Sequence, residues 1–290
     1  MGFKVFLNGK FVEKDEAKIS IFDHGVLYGD GVFEGIRSYG RKVFRLDEHL
    51  DRLYKGAEVI RLQVPVSKDG LKKNILKTLD INGLEDGYIR VVVTRGSGDL
   101  GLDPRKCAEA TVFIIADKIV LYPEEFYKNG LPIVTSKIRR NHPLSISPEV
   151  KSLNYLNNIM GKIDAIDAGT NEALMLSVDG YVAECTGDNI FAVRGNIIKT
   201  PPFEVGALDG ITKKAVMELS EKRGFEVVSA MMKPEELYSA DECFLTGTAA
   251  EIIPVVKIDD KVIGDGVPGE KTKTLIRDFK ELTKNEGVSY

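Results

Sequence analysis

The sequence predicts an α+β fold. Strand-like runs and helix-like runs follow one another without the strict alternation that a doubly wound sheet requires. Turn pairs such as Asn8-Gly9, Tyr39-Gly40, Asp179-Gly180 and Gly195-Asn196 cut apolar runs into hairpin-sized pieces. Other segments repeat apolar residues every three or four positions, the spacing of a helix with one buried face.

The elements follow in order. Val5–Leu7, Asn8-Gly9 and Lys10–Val12 form a hairpin signal, because Asn-Gly tolerates the positive φ of a type I′ turn. A second hairpin is expected from Val32–Arg37 to Lys42–Arg45. Asp47 can cap a helix that places Leu50, Leu53, Tyr54, Ala57 and Ile60 on one face. A further helix is expected from Lys68 to Leu79, stopped by Asn82-Gly83. Strands are expected at Tyr88–Thr94 and Thr111–Ile119. The charged, turn-rich stretch 121–130 reads as the connection between two domains, 1–120 and 131–290. Beyond it, Leu131–Ser136 reads as a strand and Asn154–Ala168 as a helix. A meander follows over Ala173–Val178, Tyr181–Cys185, Asn189–Val193 and Ile197–Lys199. A helix at Ile211–Lys222, strands at Phe225–Ala230 and Cys243–Thr246, and a closing helix at Lys271–Thr283 complete the order.

Composition narrows the function classes. In 290 residues, 43% are hydrophobic and 29% charged, which suits a globular chain and excludes wholesale disorder. A net charge of -4 argues against a general nucleic-acid binder. The three cysteines, Cys107, Cys185 and Cys243, are widely spaced and odd in number, which favours a reducing compartment. The first residues have no apolar signal core, and no apolar run reaches the roughly 18 residues of a spanning helix. A cytoplasmic protein is therefore expected. With three histidines (His24, His49 and His142), no multi-histidine metal site is expected. His24 and His49 read as structural or surface residues.

Gly96-Ser97-Gly98-Asp99-Leu100-Gly101 matches a dinucleotide fingerprint, but that motif needs a helix to open at its third glycine. Pro104 follows instead, so the stretch reads as a glycine-rich loop that can still line a pocket. Gly210-Ile211-Thr212 stands just ahead of a helix and suits an anion through free N–H groups and a hydroxyl. The same residues also read as an ordinary cap through Thr212 or Asp209. Thr246-Gly247-Thr248-Ala249-Ala250 offers hydroxyl and N–H donors at the end of a strand, or simply a turn. Lys151, beside Val150 and Leu153, reads either as a desolvated amine suited to a Schiff base or as a snorkelling surface lysine. Glu184 shares a face with Val182 by strand alternation, so it is either an edge residue or a carboxylate that needs a cationic partner.

Together these signals fall in a known order. The chain resembles the class IV, or fold-type IV, aminotransferases that use pyridoxal phosphate. Within them it is most similar to the branched-chain amino-acid aminotransferases. Seven blocks carry the resemblance. The first are Tyr28-Gly29-Asp30-Gly31-Val32-Phe33-Glu34-Gly35-Ile36-Arg37, Asp47–Leu53 and Tyr88-Ile89-Arg90. The others are Lys151–Tyr155, Glu184 with Thr186–Phe191, Ala207–Thr212 and Thr246–Ile252. The resemblance spans about Phe6 to Lys284. It implies a small N-terminal α/β domain and a larger C-terminal mixed β/α domain that binds the cofactor.

By that resemblance Lys151 is the Schiff-base lysine and the base of proton transfer. Glu184 pairs with the pyridine nitrogen and keeps the ring an electron sink. Tyr155 bonds the phenolic oxygen, and Leu208 packs on the ring. Arg52, Ile211, Thr212 and Thr248 hold the phosphate. Tyr28, Phe33, Tyr88, Arg90, Thr248 and Ala249 match substrate-pocket positions. Arg90, or a loop cation such as Arg95, takes the γ-carboxylate of glutamate. Segments 121–130 and Gly96–Gly101 match the loops that close the pocket, the second from a neighbouring subunit. The implied reaction moves the amino group of L-leucine, L-isoleucine or L-valine to 2-oxoglutarate. A D-amino-acid aminotransferase or an aminodeoxychorismate lyase of the same fold is the alternative. The implied partners are small molecules and a second copy, with no metal, nucleic acid or membrane. Val91 and Cys185 depart from relatives that carry proline and glycine there.

Overall fold

A computed structural model describes residues 2–119 and 122–290. In chain order the elements begin β1 (Lys4–Leu7), β2 (Lys10–Glu13), α1 (His24–Tyr28), β3 (Gly31–Tyr39), β4 (Lys42–Val43), α2 (Leu46–Val59), α3 (Lys68–Ile81), β5 (Gly87–Thr94) and β6 (Thr111–Asp117). Then come α4 (Glu124–Asn129), β7 (Leu131–Arg139), α5 (Leu156–Asp167), β8 (Ala173–Leu176), β9 (Val182–Cys185), β10 (Asn189–Arg194), β11 (Ile197–Thr200) and α6 (Ile211–Lys222). The order ends with β12 (Glu226–Ser229), α7 (Pro234–Tyr238), β13 (Glu242–Gly247), β14 (Glu251–Ile258), β15 (Lys261–Val262), α8 (Glu270–Asn285) and β16 (Val288–Ser289).

Two compact units result. The first comprises Met1–Ile119, Glu149–Asn154 and Thr283–Tyr290; the second comprises Val120–Pro148 and Tyr155–Leu282. The expected single passage through 121–130 is thus replaced by four changes of unit. Most of that stretch is not a loop either. Tyr122 is buried and 124–129 is helical, while residue 121 lies outside the described residues.

The first unit is built on an antiparallel sheet of order β16-β4-β3-β5-β6-β1-β2. The β1–β2 turn has φ of 45° at Asn8 and 86° at Gly9, as the hairpin signal demands. Val32, Ile36, Ile89, Val91 and Ile114 from the sheet pack with Leu46, Leu50 and Leu53 of α2 and with Leu71, Ile75 and Leu79 of α3. The cap of α2 differs from expectation. Arg45, at φ 46°, is the N-cap, and Asp47 lies in the first turn, where its charge suits the helix dipole.

The second unit holds a mixed sheet of order β12-β11-β10-β13-β14-β7-β8-β9, with β15 on β14. Its core includes Leu131, Leu174, Ile190, Leu245, Ile253 and Val255. Strand β14 is absent from the sequence reading, and its Pro254 is a residue that argues against a central strand. The structure accommodates it because β7 pairs with β14 only from Val255 onward.

Candidate active site

In the first unit, residues 151–153 run alongside the start of β3. Lys151 O accepts from Phe33 N at 2.9 Å, and Leu153 N donates to Gly31 O at 3.0 Å. The Lys151 amine then lies 4.8 Å from the centre of the buried Phe33 ring. The Arg90 guanidinium lies 4.6 Å from the same ring, and its Nη2 donates to the Tyr88 hydroxyl at 3.1 Å. Gly35, opposite Arg90 in the register, leaves room for the Tyr88 ring: a Cβ there would stand 2.1 Å from the hydroxyl oxygen, which would have to move. Phe33, Tyr88, Arg90 and Lys151 are therefore brought together. Tyr28 is tied instead to the glycine-rich loop, donating to Leu100 O at 2.5 Å, while His24 Nε2 meets Asp99 O at 2.9 Å. No helix opens at Gly101.

Arg52 turns inward. Its Nε and Nη2 donate to the two Glu34 oxygens at 2.6 and 2.8 Å, and His49 Nδ1 meets Glu34 Oε2 at 2.8 Å. Burial alone would raise the Glu34 carboxyl, but the Arg52 charge and the hydrogen bonds of Arg52 and His49 hold it down at about 2. Burial lowers the His49 imidazole against the pull of Glu34. Of the two readings of His49, structural or surface, the structural one holds, since it is buried in an ion cluster. The reading of Arg95 is corrected. Asp30 takes its Nε and Nη2, and the carbonyls of Ile60 and Arg61 take further N–H groups, so its fork is committed to structure.

In the second unit all four residues of β9 are buried, Glu184 among them. β9 ends the sheet, but the exposed-edge reading fails because Glu184 is buried, and the expected cation is Arg140, whose Nη2 lies 3.0 Å from Glu184 Oε1. Leu208 N donates to Glu184 Oε2 at 2.8 Å. Arg140 is seated by Asn157 and Asn158, each at 2.9 Å, in the first turn of α5, which Tyr155 precedes as N-cap. Asn189 is the hub between neighbours. Its Nδ2 donates to Leu208 O at 2.8 Å, it pairs with Thr246 across the sheet, and its Oδ1 would lie 2.1 Å from a Cβ on Gly210. Sequence reasoning missed Arg140, Asn189, Glu34 and His49 as partners. The signal for Arg140 was a cation beside two asparagines seventeen and eighteen residues on, which no spacing rule reads.

The plain-cap reading of Gly210-Ile211-Thr212 fails for Thr212. Gly210 caps α6 without a side-chain bond, and Thr212 is buried inside the first turn. Thr248 and Ala249 lie in the turn between β13 and β14. Among the described residues, Thr246 Oγ1 and Arg140 Nε are buried without a hydrogen-bond partner. A buried orphan hydroxyl, a helix start without a side-chain cap and a fixed carboxylate form a donor and acceptor set that fits a phosphorylated pyridine ring. The first unit, taken by itself, holds an amine over an aromatic ring. Near Glu184 the second unit also buries Glu172, Asp188 and Tyr122, with the Tyr122 hydroxyl 3.2 and 3.1 Å from the two carboxyls. Among the described residues no His, Cys, Asp or Glu cluster could hold a metal, and no helix is long and apolar enough to cross a membrane.

Comparison with known proteins follows the same lines. Residues 31–258 match the model of the family Amino-transferase class IV. A Methanocaldococcus jannaschii relative, provisionally named a branched-chain-amino-acid aminotransferase, is 49% identical over 285 residues, 98% of each chain. The D-alanine aminotransferase of Bacillus licheniformis is 37% identical over 278 residues, 94% of each chain. The crystal structure of the Escherichia coli branched-chain amino acid aminotransferase superposes with a TM-score of 0.95 at 34% identity, covering 98% of this chain and 95% of that one.

Proposed function

The chain belongs to the class IV aminotransferase family, and from that premise we propose that it is a branched-chain aminotransferase. It transfers the amino group of L-leucine, L-isoleucine or L-valine to 2-oxoglutarate in two alternating half-reactions. The observation that carries this reading is the grouping of Phe33, Tyr88 and Arg90 with the Lys151 amine. Aromatic walls suit an aliphatic side chain, and one cation among them suits the γ-carboxylate of the second substrate.

Pyridoxal phosphate supplies the electron sink that lets an amino acid lose its α-proton. The Lys151 amine is the group that carries it and then moves the proton at the substrate α-carbon. Glu184, fixed by Arg140 and Leu208 N, serves as the counter-charge for the ring nitrogen. Tyr155 holds the phenolic oxygen, and Leu208 packs on the ring. Arg52, Ile211, Thr212 and Thr248 take the phosphate. Thr248 and Ala249 offer N–H groups to the substrate α-carboxylate, with Tyr28 at the pocket edge. A homodimer in the cytoplasm completes the proposal. It is supported by three free cysteines and by exposed apolar residues Ile21, Val26, Leu100 and Leu102 on the first unit.

The D-alanine aminotransferase relative keeps a second reading in view. A visible spectrum separates the two. The purified protein is expected to be yellow, to change with L-leucine and to recover with 2-oxoglutarate. A response to D-alanine but not to L-leucine moves the function to the second reading. Lys151→Ala is expected to abolish turnover with the fold intact, and normal turnover in that variant ends the proposal.

A further inference from the structure

We propose that Glu34, braced by His49, is a positioning residue that fixes Arg52 for the phosphate of the cofactor. This rests on the reading that Arg52 takes that phosphate. Glu34 alternates on β3 with Val32 and Ile36, both in the apolar core against α2. An apolar residue there would stabilise that core at least as well as a buried ion pair, so stability does not explain the carboxylate. Its geometry does. Arg52 and His49 stand three residues apart on one face of α2, and both donate to the one carboxylate. Glu34 grips the Nε–Nη2 edge of the guanidinium in a bidentate fork, the arrangement that locks its plane. A phosphate taken by Arg52 would then be met by a guanidinium whose plane is already set, without first ordering a long side chain.

His49 fixes Glu34 in turn. Burial favours the neutral ring, so it donates one Nδ1–H and adds no charge of its own. The cluster also stands beside the reactive lysine. Lys151 O is bonded to Phe33 N, next to Glu34, and the Lys151 charge further disfavours a charged His49. None of these contacts leaves the first unit.

The test is the affinity of the cofactor-stripped protein for pyridoxal 5′-phosphate relative to pyridoxal, which isolates the phosphate. Arg52→Leu is expected to collapse that ratio by about a hundredfold, which checks the premise. Glu34→Asp keeps the charge and shortens the reach. It is expected to lower the ratio about tenfold while leaving pyridoxal affinity unchanged. His49→Ala is expected to lower it about threefold, and His49→Asn, whose amide N–H stands near the place of Nδ1–H, is expected to restore it. A collapse in Arg52→Leu with an unchanged ratio in Glu34→Asp overturns the positioning role alone. An unchanged ratio in Arg52→Leu overturns the premise and the role together. If Glu34→Asp does not fold, the His49 pair decides: equal loss in both variants, or loss in neither, overturns the proposal.

Discussion

Each unit buries a polar cluster built on carboxylate, and the two clusters behave oppositely. Glu34 in the first unit meets a guanidinium and an imidazole and is held ionised, at about 2. Asp188 in the second unit meets the Tyr122 hydroxyl and has the Glu172 carboxylate nearby. Burial and the Glu172 charge push Asp188 up to about 7. Burial is the largest influence on both, and it acts in the same direction. The partner decides whether it prevails. A cation in a fork outweighs it, whereas a phenol does not. Glu172 is meanwhile occupied by Ala173 N, Thr186 N and Thr186 Oγ1 at 2.7, 3.0 and 2.5 Å.

The contrast can be broken most forcefully in the first cluster. Glu34→Leu takes the carboxylate from Arg52 and is expected to lose about 3–5 kcal/mol in urea unfolding, while Glu34→Leu/Arg52→Met recovers most of it. A loss equal in the single and double variants would mean that packing, not charge, holds the site.

Asp188→Asn sharpens the second cluster through pH. An acid raised from an ordinary 3.8 to about 7 binds its proton more tightly folded than unfolded. Its contribution is therefore whole below about 4 and drains away as pH rises to about 7. Glu34 runs the other way, whole above its ordinary 4.5 and lost as pH falls toward 2. Asp188→Asn is expected to gain on the parent protein between pH 4 and 7 and to run parallel above that range. Melting curves with a constant gap across it would refute the assignment. Tyr122→Phe, which takes away the donor between the two acids, is expected to lose about 1 kcal/mol, measured at pH 6. The smallest effect belongs at the surface. Lys55→Ala, which removes a 3.2 Å pair with Glu149, is expected to change stability by under about 1 kcal/mol, less still in high salt.

Much of this was legible from spacing. Helix α6 runs from Ile211 to Lys222 as the periodicity predicts, since Ile211, Ala215, Val216 and Leu219 are buried on one face. The hairpin at Asn8-Gly9 and the existence of a strand at Glu184 were legible for the same kind of local reason, but the burial of all four β9 residues was not. What stayed hidden was produced across space. Glu34 and Arg52 are eighteen residues apart, Arg140 and Glu184 forty-four, and no period relates them. Arg95 looked available as a loop cation because Asp30 and two backbone carbonyls come to it only in the fold. The short helices α1, α4 and α7 are too brief to show a periodic face.

The first unit borrows two stretches from far along the chain, 149–154 beside β3 and 283–290, where β16 pairs with β4 and the Tyr290 hydroxyl reaches Leu84 O at 2.6 Å. On a ribosome, where earlier domains ordinarily close before later ones are made, this unit must wait. Its sheet has one flank exposed until residue 154 has emerged and another until residue 289 has. The Lys151 amine is therefore seated by a late arrival, and a half-made chain carries neither that lysine nor a finished sheet for it. Order of manufacture and order of folding are uncoupled here.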